Sequence, residues 1–336
     1  MKHLKYLFII LFTWVVHAQK SDFKSINFDR ADSIAHAYQG ASLKNLPVLT
    51  YQLTHGLESR VEQFRAIHTW VCANIESDHD FGEATLRKRR ILKNDSLSFS
   101  NWNKQVLSKV FTKLLKNKKT ICSGYAYLIK ELCNLADIPC EIVNGYSRNT
   151  TRNVGEVDFP NHSWNAVKLN KTWYLVDATM ASGYFDLDKH NFVKDYNDGY
   201  FLCEPDLFLK RNYPLDASWM LSKYKPSLEE FVNAPIVYGK TFEHAVTPMA
   251  PKTLITNIST GEVVTFKFSV ANKTKACNIQ LIVNKGFRSE KIAGTEDHLN
   301  NGTVELKHQF NKKGQYNAHL VVNMDIVASY TVIVKN

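Results

Sequence analysis

The chain has 336 residues, enough for about two ordinary domains, and its 44% apolar content allows a packed core. The net charge of +10 is mostly scattered, and its one dense run carries no aromatic interleaving, which argues against nucleic-acid binding. Six cysteines, none of them in a CxxC pair, leave zinc and thioredoxin-like readings without support.

The first residues, MKHLKYLFIILFTWVVHAQ, set Lys2 and Lys5 before a nearly continuous apolar run from Leu7 to Val16. Small residues around Ala18 follow, which is the pattern of a secretory signal peptide over residues 1–18 cleaved after Ala18. A lone membrane anchor is the weaker alternative, because the run is short of the roughly 20 apolar residues a span needs. The mature chain is expected to be soluble and extracytoplasmic, secreted or periplasmic. Loss of the two lysines lowers its charge from +10 to +8.

Asp29 to Tyr38 reads as a short helix that Asp29 can cap. Glu58 to Ile75 is a stronger one, with Val61, Phe64, Ile67, His68 and Val71 at helical spacing. Asp78 to Ser98 is polar and charged, and reads as an exposed insertion. It holds RKRR at Arg87 to Arg90, beside Lys93, which is a solvated face by the plain reading and a site for an acidic partner by the sharper one. Asn101 to Leu115 is helical through Val106, Val110, Phe111 and Leu114. The next helix is striped by Tyr125, Leu128, Ile129, Leu132 and Leu135, and Pro139 ends the pattern. CEIVNGYS reads as a strand.

From His162 the apolar period changes to two. HSWNAVKL and TWYLVDAT read as strands of a hairpin joined at Asn170-Lys171. Tyr200 to Leu209 reads as a short helix. Pro226, Pro235, Pro248 and Pro251 mark a linker over 226–251 that closes a first domain of residues 19–225. Beyond Lys252 only short strands follow: EVVTFKFSVAN, NIQLIVN, TVELKHQF, YNAHLVVN and VASYTVIV. Residues 252–336 are therefore expected to be a small Ig-like β-sandwich, with His298, His308 and His319 scattered and exposed.

The chemistry centres on Cys122, which stands where the Tyr125–Leu135 helix begins. Unpartnered N–H groups at a helix start favour negative charge and make a thiol more acidic. A nucleophilic thiol also needs a base and a group to orient that base. If Asn170-Lys171 form the hairpin loop, Leu169 faces Thr172, Trp164 faces Asp177 and His162 faces Thr179. His162 and Asp177 then share one face as diagonal neighbours, about 7–8 Å apart at Cα and bridgeable by their side chains. The expected reaction is acyl transfer, with Cys122 as nucleophile, His162 as base and Asp177 holding the imidazole. The Cys122 backbone N–H is one oxyanion donor. A second is not evident, although Trp102 and Gln105 are possible. Cys72, Cys133 and Cys203 lie in apolar helical patterns and read as buried thiols, Cys277 is unassigned, and a Cys133–Cys140 bridge stays open.

The segments ICSGYAYLIKELCNLADIPCEIVNGY, HSWNAVKL and WYLVDATMASG resemble the Cys, His and Asp motifs of the transglutaminase-like superfamily, in its kyphoscoliosis peptidase-like branch. AIHTWVCANIESD and DGYFLCEPDLFLKRNYPLDASWMLS extend the resemblance over roughly Glu58 to Ser222. It implies an α+β, papain-like core with the nucleophile helix packed on an antiparallel sheet, and thiol chemistry with no metal or other cofactor. It also implies Cys122, His162 and Asp177 in the roles above. Ser163 stands where the family often has Ala and Met180 where a Trp often follows, differences that bear on pocket shape. The chain is thus expected to be a cysteine peptidase or amide acyltransferase acting on a peptide or protein substrate through a thioester, its sandwich available to a cell-surface or protein partner. The alternative is an inactive binding or scaffold protein at the cell surface, since the family includes members that bind without catalysing. A disulfide-stapled structural protein is a weaker third reading.

Overall fold

The structure is a computed structural model that describes residues 20–270, 278–286, 288–293 and 302–336. The expected signal peptide, Cys277 and His298 lie outside the described residues.

Helices α1 (Asp29–Ala37), α2 (Leu46–Thr54) and α3 (Arg60–Asn74) pack together at the start of the first domain. Ser59 and Glu62 form a capping box that begins α3. Asp29 does not cap α1: Phe28 holds that position, and Asp29 is the first helical residue, its N–H bonded to Asn27 Oδ1 at 2.7 Å. Buried Arg65 of α3 ties the layer together with paired bonds of 2.7 and 2.9 Å to Asp32 of α1.

A two-residue strand β1 (Glu76–Ser77) leads into α4 (His79–Leu92) and α5 (Ser96–Asn117). The stretch from Asp78 to Ser98, expected as an exposed insertion, is therefore helical. Asp78 and Asp95 cap its two helices with their side chains, and only part of it is exposed: Asp78 to Glu83 is mostly half-buried and Thr85 is buried. β2 (Lys119–Thr120) runs parallel to β1 and delivers the chain to α6 (Cys122–Leu135). Gly124 lets β2 approach the first turn of α6, since a Cβ there would stand 1.9 Å from Thr120 Oγ1.

β3 (Cys140–Ser147), β4 (His162–Leu169) and β5 (Thr172–Val176) follow, then α7 (Ala178–Ala181), the hairpin β6 (Gly183–Asp186) and β7 (Asn191–Lys194), α8 (Pro205–Phe208) and β8 (Asn212–Pro214). The main sheet is antiparallel, in the order β5-β4-β3-β8. Asn170 and Lys171 both have positive φ, the two-residue turn whose twist suits a hairpin. α6 packs on β3 and β4, with α2 and α3 on its other side. Asn165 of β4 donates to the Ala126 carbonyl at 2.9 Å, and the Tyr125 hydroxyl donates to the Ile75 carbonyl at 2.9 Å. The helix expected over Tyr200 to Leu209 is broken. Leu202 takes a positive φ and Cys203 pairs with Leu175, so only Pro205–Phe208 is α-helical.

The stretch 226–251, expected as a linker, is ordered. It carries α9 (Leu228–Asn233), β9 (Ile236–Val237), α10 (Gly239–Glu243) and β10 (Val246–Ala250). Its prolines fall outside helix interiors, while Ile236, Val237 and Val246 are buried. Seven further strands follow: β11 (Ile255–Ser259), β12 (Val263–Val270), β13 (Ile279–Lys285), β14 (Arg288–Ala293), β15 (Thr303–Gln309), β16 (Gly314–Val322) and β17 (Asp325–Lys335). They form one sheet in the order β10-β12-β15 and another in the order β11-β17-β16-β13-β14, with β9 beside β17. The pairings are antiparallel except β11 with β17. Phe266, Phe268, Leu281, Leu306, Phe310 and Tyr330 are among the side chains in a core of their own. His308 and His319, expected to be exposed, are half-buried, and His319 Nδ1 lies 2.7 Å from Ser329 Oγ.

Among the described residues no helix is long and apolar enough to cross a membrane. Cys72, Cys122, Cys133, Cys140 and Cys203 are all free, so the Cys133–Cys140 bridge is not formed.

Candidate active site

Cys122 is the first residue of α6 and is half-buried. His162 begins β4 and is buried. The expected register of β4 against β5 is observed from Leu169 opposite Thr172 to Asn165 opposite Val176. Beyond Val176 the two strands part, and His162 never faces Thr179 as a ladder partner. Asp177 instead caps α7, its Oδ1 accepting the Met180 N–H at 3.1 Å. Its other oxygen meets His162 Nε2 at 2.7 Å, with the carboxylate fully buried. The cap thus leaves one carboxylate oxygen for the imidazole and fixes the direction in which it points.

With Nε2 engaged by Asp177, His162 has Nδ1 for the thiol, and its side chain acts on the Cys122 sulfur. Burial opposes a charge on the Cys122 sulfur. The His162 hydrogen bond and charge outweigh it, with smaller help from the Arg89 guanidinium and the Ser163 backbone N–H, and hold the thiol below its ordinary 9.0. Burial also opposes a charge on His162, but the Asp177 carboxylate and the thiolate push its pKa up to about 10. Both shifts run in the direction of a thiolate–imidazolium pair.

A second cysteine and histidine show that proximity alone does not make this state. Cys72 Sγ lies 3.8 and 3.9 Å from the ring nitrogens of His68, in the interior of the first domain. Burial, reinforced by the Arg65 charge, drives His68 down to about 3, and burial pushes the Cys72 thiol up to about 12. Both stay neutral. The difference is the carboxylate, which His162 has against its ring and His68 does not.

The cleft at Cys122 has a volume of about 220 Å³. Its walls come from the starts of α6 and β4, from Thr179 and Met180 of α7, and from α4 through Gly82, Thr85, Leu86 and Arg89. Leu86, Arg152 and Asn161 are shared with a neighbouring groove of about 400 Å³. Arg152 spans both oxygens of Glu83 at 2.6 Å, and Arg90 and Lys93 each reach Asp158 at 2.6 Å. Arg90 of the basic run and Lys93 beside it thus bind the end of α4 to the segment joining β3 and β4. The contribution of α4 was missed in the sequence because a polar helix carries no apolar stripe. Trp102 and Gln105 on α5 do not line the cleft. Among the described residues no group of three or more His, Cys, Asp or Glu side chains is placed to hold a metal ion.

A helix starting with cysteine, packed on an antiparallel sheet that carries a His–Asp pair, defines a papain-like α+β class of domain. Residues 48–178 match the family described as Transglutaminase-like superfamily, and the chain carries a domain of that superfamily. Human "Kyphoscoliosis peptidase" is 33% identical over 209 residues, covering 61% of this chain and 28% of that protein. The Mus musculus protein of the same name is 31% identical over 229 residues, covering 67% and 31%. "Hillarin" of Drosophila melanogaster is 26% identical over 235 residues, covering 66% and 26%. The chain spans less than a third of the length of each of these relatives.

Proposed function

We propose that this protein is a cysteine-dependent enzyme that cleaves or transfers amide bonds of peptides or proteins. The observation that carries the reading is the His162–Asp177 pair, an imidazole held at 2.7 Å by a buried carboxylate, in one cleft with Cys122, whose thiol it acidifies. The similarity to proteins named as peptidases supports it.

The Cys122 thiolate attacks the amide carbonyl carbon, and negative charge moves to the oxygen. The backbone N–H of Cys122, free at the start of α6, is one donor for that oxyanion. As the C–N bond breaks, the His162 imidazolium gives its Nδ1 proton to the leaving amine, and a thioester remains on the sulfur. Neutral His162 then takes a proton from water or from an incoming amine as it attacks the thioester, and the thiolate–imidazolium pair returns. Water yields hydrolysis and an amine yields transfer. Asp177 holds the imidazole through both halves without itself taking the proton.

The test is selective alkylation. Iodoacetamide should label Cys122 at pH 7 ahead of the four other described cysteines, and His162→Ala should abolish that preference. Equal labelling of Cys122 in both proteins would remove the activated thiol and leave a binding role. Residues 1–18 are read as an export signal, so the mature protein should begin at Gln19; N-terminal sequencing that finds Met1 on exported protein counts against cleavage there.

A further inference from the structure

Several cleft charges are answered inside the chain. Asp177 faces His162, Glu83 faces Arg152, and Asp78 accepts from Lys113 at 2.5 Å. Arg89 is different. It lines the cleft and acts on the Cys122 sulfur, yet among the described residues it has no ion pair or hydrogen bond, and its Nε is buried without a partner. Thr85 stands four residues earlier, on the same face of α4. It too lines the cleft, is 3% exposed, and has a buried Oγ1 without a partner. Buried polar atoms are nearly always satisfied, and here two residues that each carry an unsatisfied buried atom line the same small space beside the thiol.

We propose that Thr85 and Arg89 form a carboxylate-binding subsite beside Cys122, which selects substrates carrying a carboxylate close to the attacked amide. This rests on the enzymatic reading above. A guanidinium presents paired N–H groups that match the two oxygens of a carboxylate, and the Thr85 hydroxyl adds a third donor. One uncompensated cation calls for one negative charge. That charge can be the side chain of an aspartate or glutamate, or the α-carboxylate at a chain end.

Two alkylating reagents of nearly equal size test it. The Cys122 sulfur displaces iodide from iodoacetate and from iodoacetamide as the S–C bond forms, but only iodoacetate carries a carboxylate. The ratio of their rates cancels the thiolate fraction, which is common to both. Attraction of iodoacetate to His162 is retained in every variant. The iodoacetate-to-iodoacetamide ratio should fall about 10-fold in Arg89→Gln, the contribution of one charge-assisted pair. Arg89→Lys should keep part of it, and Thr85→Val should lower it by about 3-fold. If Arg89 served only to acidify the thiol, both reagents would slow alike, and an unchanged ratio in Arg89→Gln overturns the subsite. A Cys122 equally slow with both reagents in the wild type overturns the enzymatic reading and the subsite together. Chloroacetyl peptides separate the two sources of carboxylate: glutamate with an amidated end, alanine with a free end, and amidated alanine as control. Either acidic peptide alkylating faster than control, with the advantage lost in Arg89→Gln, supports the subsite and names the source. Neither doing so overturns it.

Discussion

Asp177 performs two tasks with two oxygens, and Asp177→Asn forces a choice between them. One oxygen accepts the Met180 N–H and the other faces His162 Nε2. Asparagine has one oxygen and one NH2. If its oxygen keeps the cap, the NH2 turns to His162, makes Nε2 an acceptor and puts the ring proton on Nδ1, where it cannot receive the thiol proton. If its oxygen turns to His162, the NH2 opposes the Met180 N–H and the cap is lost, at about 1 kcal/mol. Either way the charge that supports the imidazolium is gone. The rise of His162 from 6.5 to about 10 corresponds to something on the order of 5 kcal/mol in favour of the charged ring, with burial already opposing it. Without Asp177, burial governs both groups and returns Cys122 to or above its ordinary 9.0, as burial already does at Cys72. At pH 7 a thiol of that acidity is about one-hundredth ionised, so the alkylation rate should drop by up to about 100-fold, with its inflection moved to pH 9 or higher. The assay is the pH profile of Cys122 alkylation by mass spectrometry, with circular dichroism confirming the fold. Superimposable profiles for wild type and Asp177→Asn would refute the reasoning. Stability offers a second readout. A histidine raised to about 10 contributes stability that is complete below 6.5 and is lost as pH rises through 10, so the difference in Tm between the two proteins should shrink above pH 10.

Gly124→Ala should destabilise by about 2–3 kcal/mol in urea unfolding, because its Cβ meets Thr120 Oγ1 at 1.9 Å, and Thr120→Ala should restore part of the loss. Arg148 is buried, and burial lowers its pKa to about 10, while its guanidinium donates to the carbonyls of Phe231, Ala234 and Pro235. Arg148→Met leaves those acceptors unanswered and should cost about 2–4 kcal/mol by denaturant titration. Burial opposes a charge on Asp32, but its bonds to Arg65 and Thr69 hold its pKa below the ordinary 3.8. That stability is present above 3.8 and lost as pH falls through the folded value. Asp32→Asn should therefore lower Tm at pH 7 and converge with wild type in strong acid.

How much could be read in advance depended on whether a residue's role was local. The α6 stripe from Tyr125 to Leu132 is a repeat within one helix, and it located both the helix and the cysteine at its start. The two-residue turn at Asn170-Lys171 set the β4–β5 register from neighbouring residues alone, and that register brought His162 toward Asp177. The sandwich strands announced themselves by alternation. Other features had no local trace. Ile236 and Val237 looked like part of a linker because their partners, Ser329 and Ala328 of β17, are far along the chain.

Side-chain periodicity and turn chemistry act between near neighbours, so the order of residues was enough to specify the helix that presents Cys122, the hairpin that carries His162, and the class of both domains. Long-range packing made Asp177 leave its strand to cap α7, made a polar helix wall the thiol cleft, and left Arg89 there without a partner among the described residues. Those outcomes depend on which distant surfaces meet. The acidity of a thiol or an imidazole follows from the burial and charge that such a meeting creates, as the contrast between Cys122 and Cys72 shows.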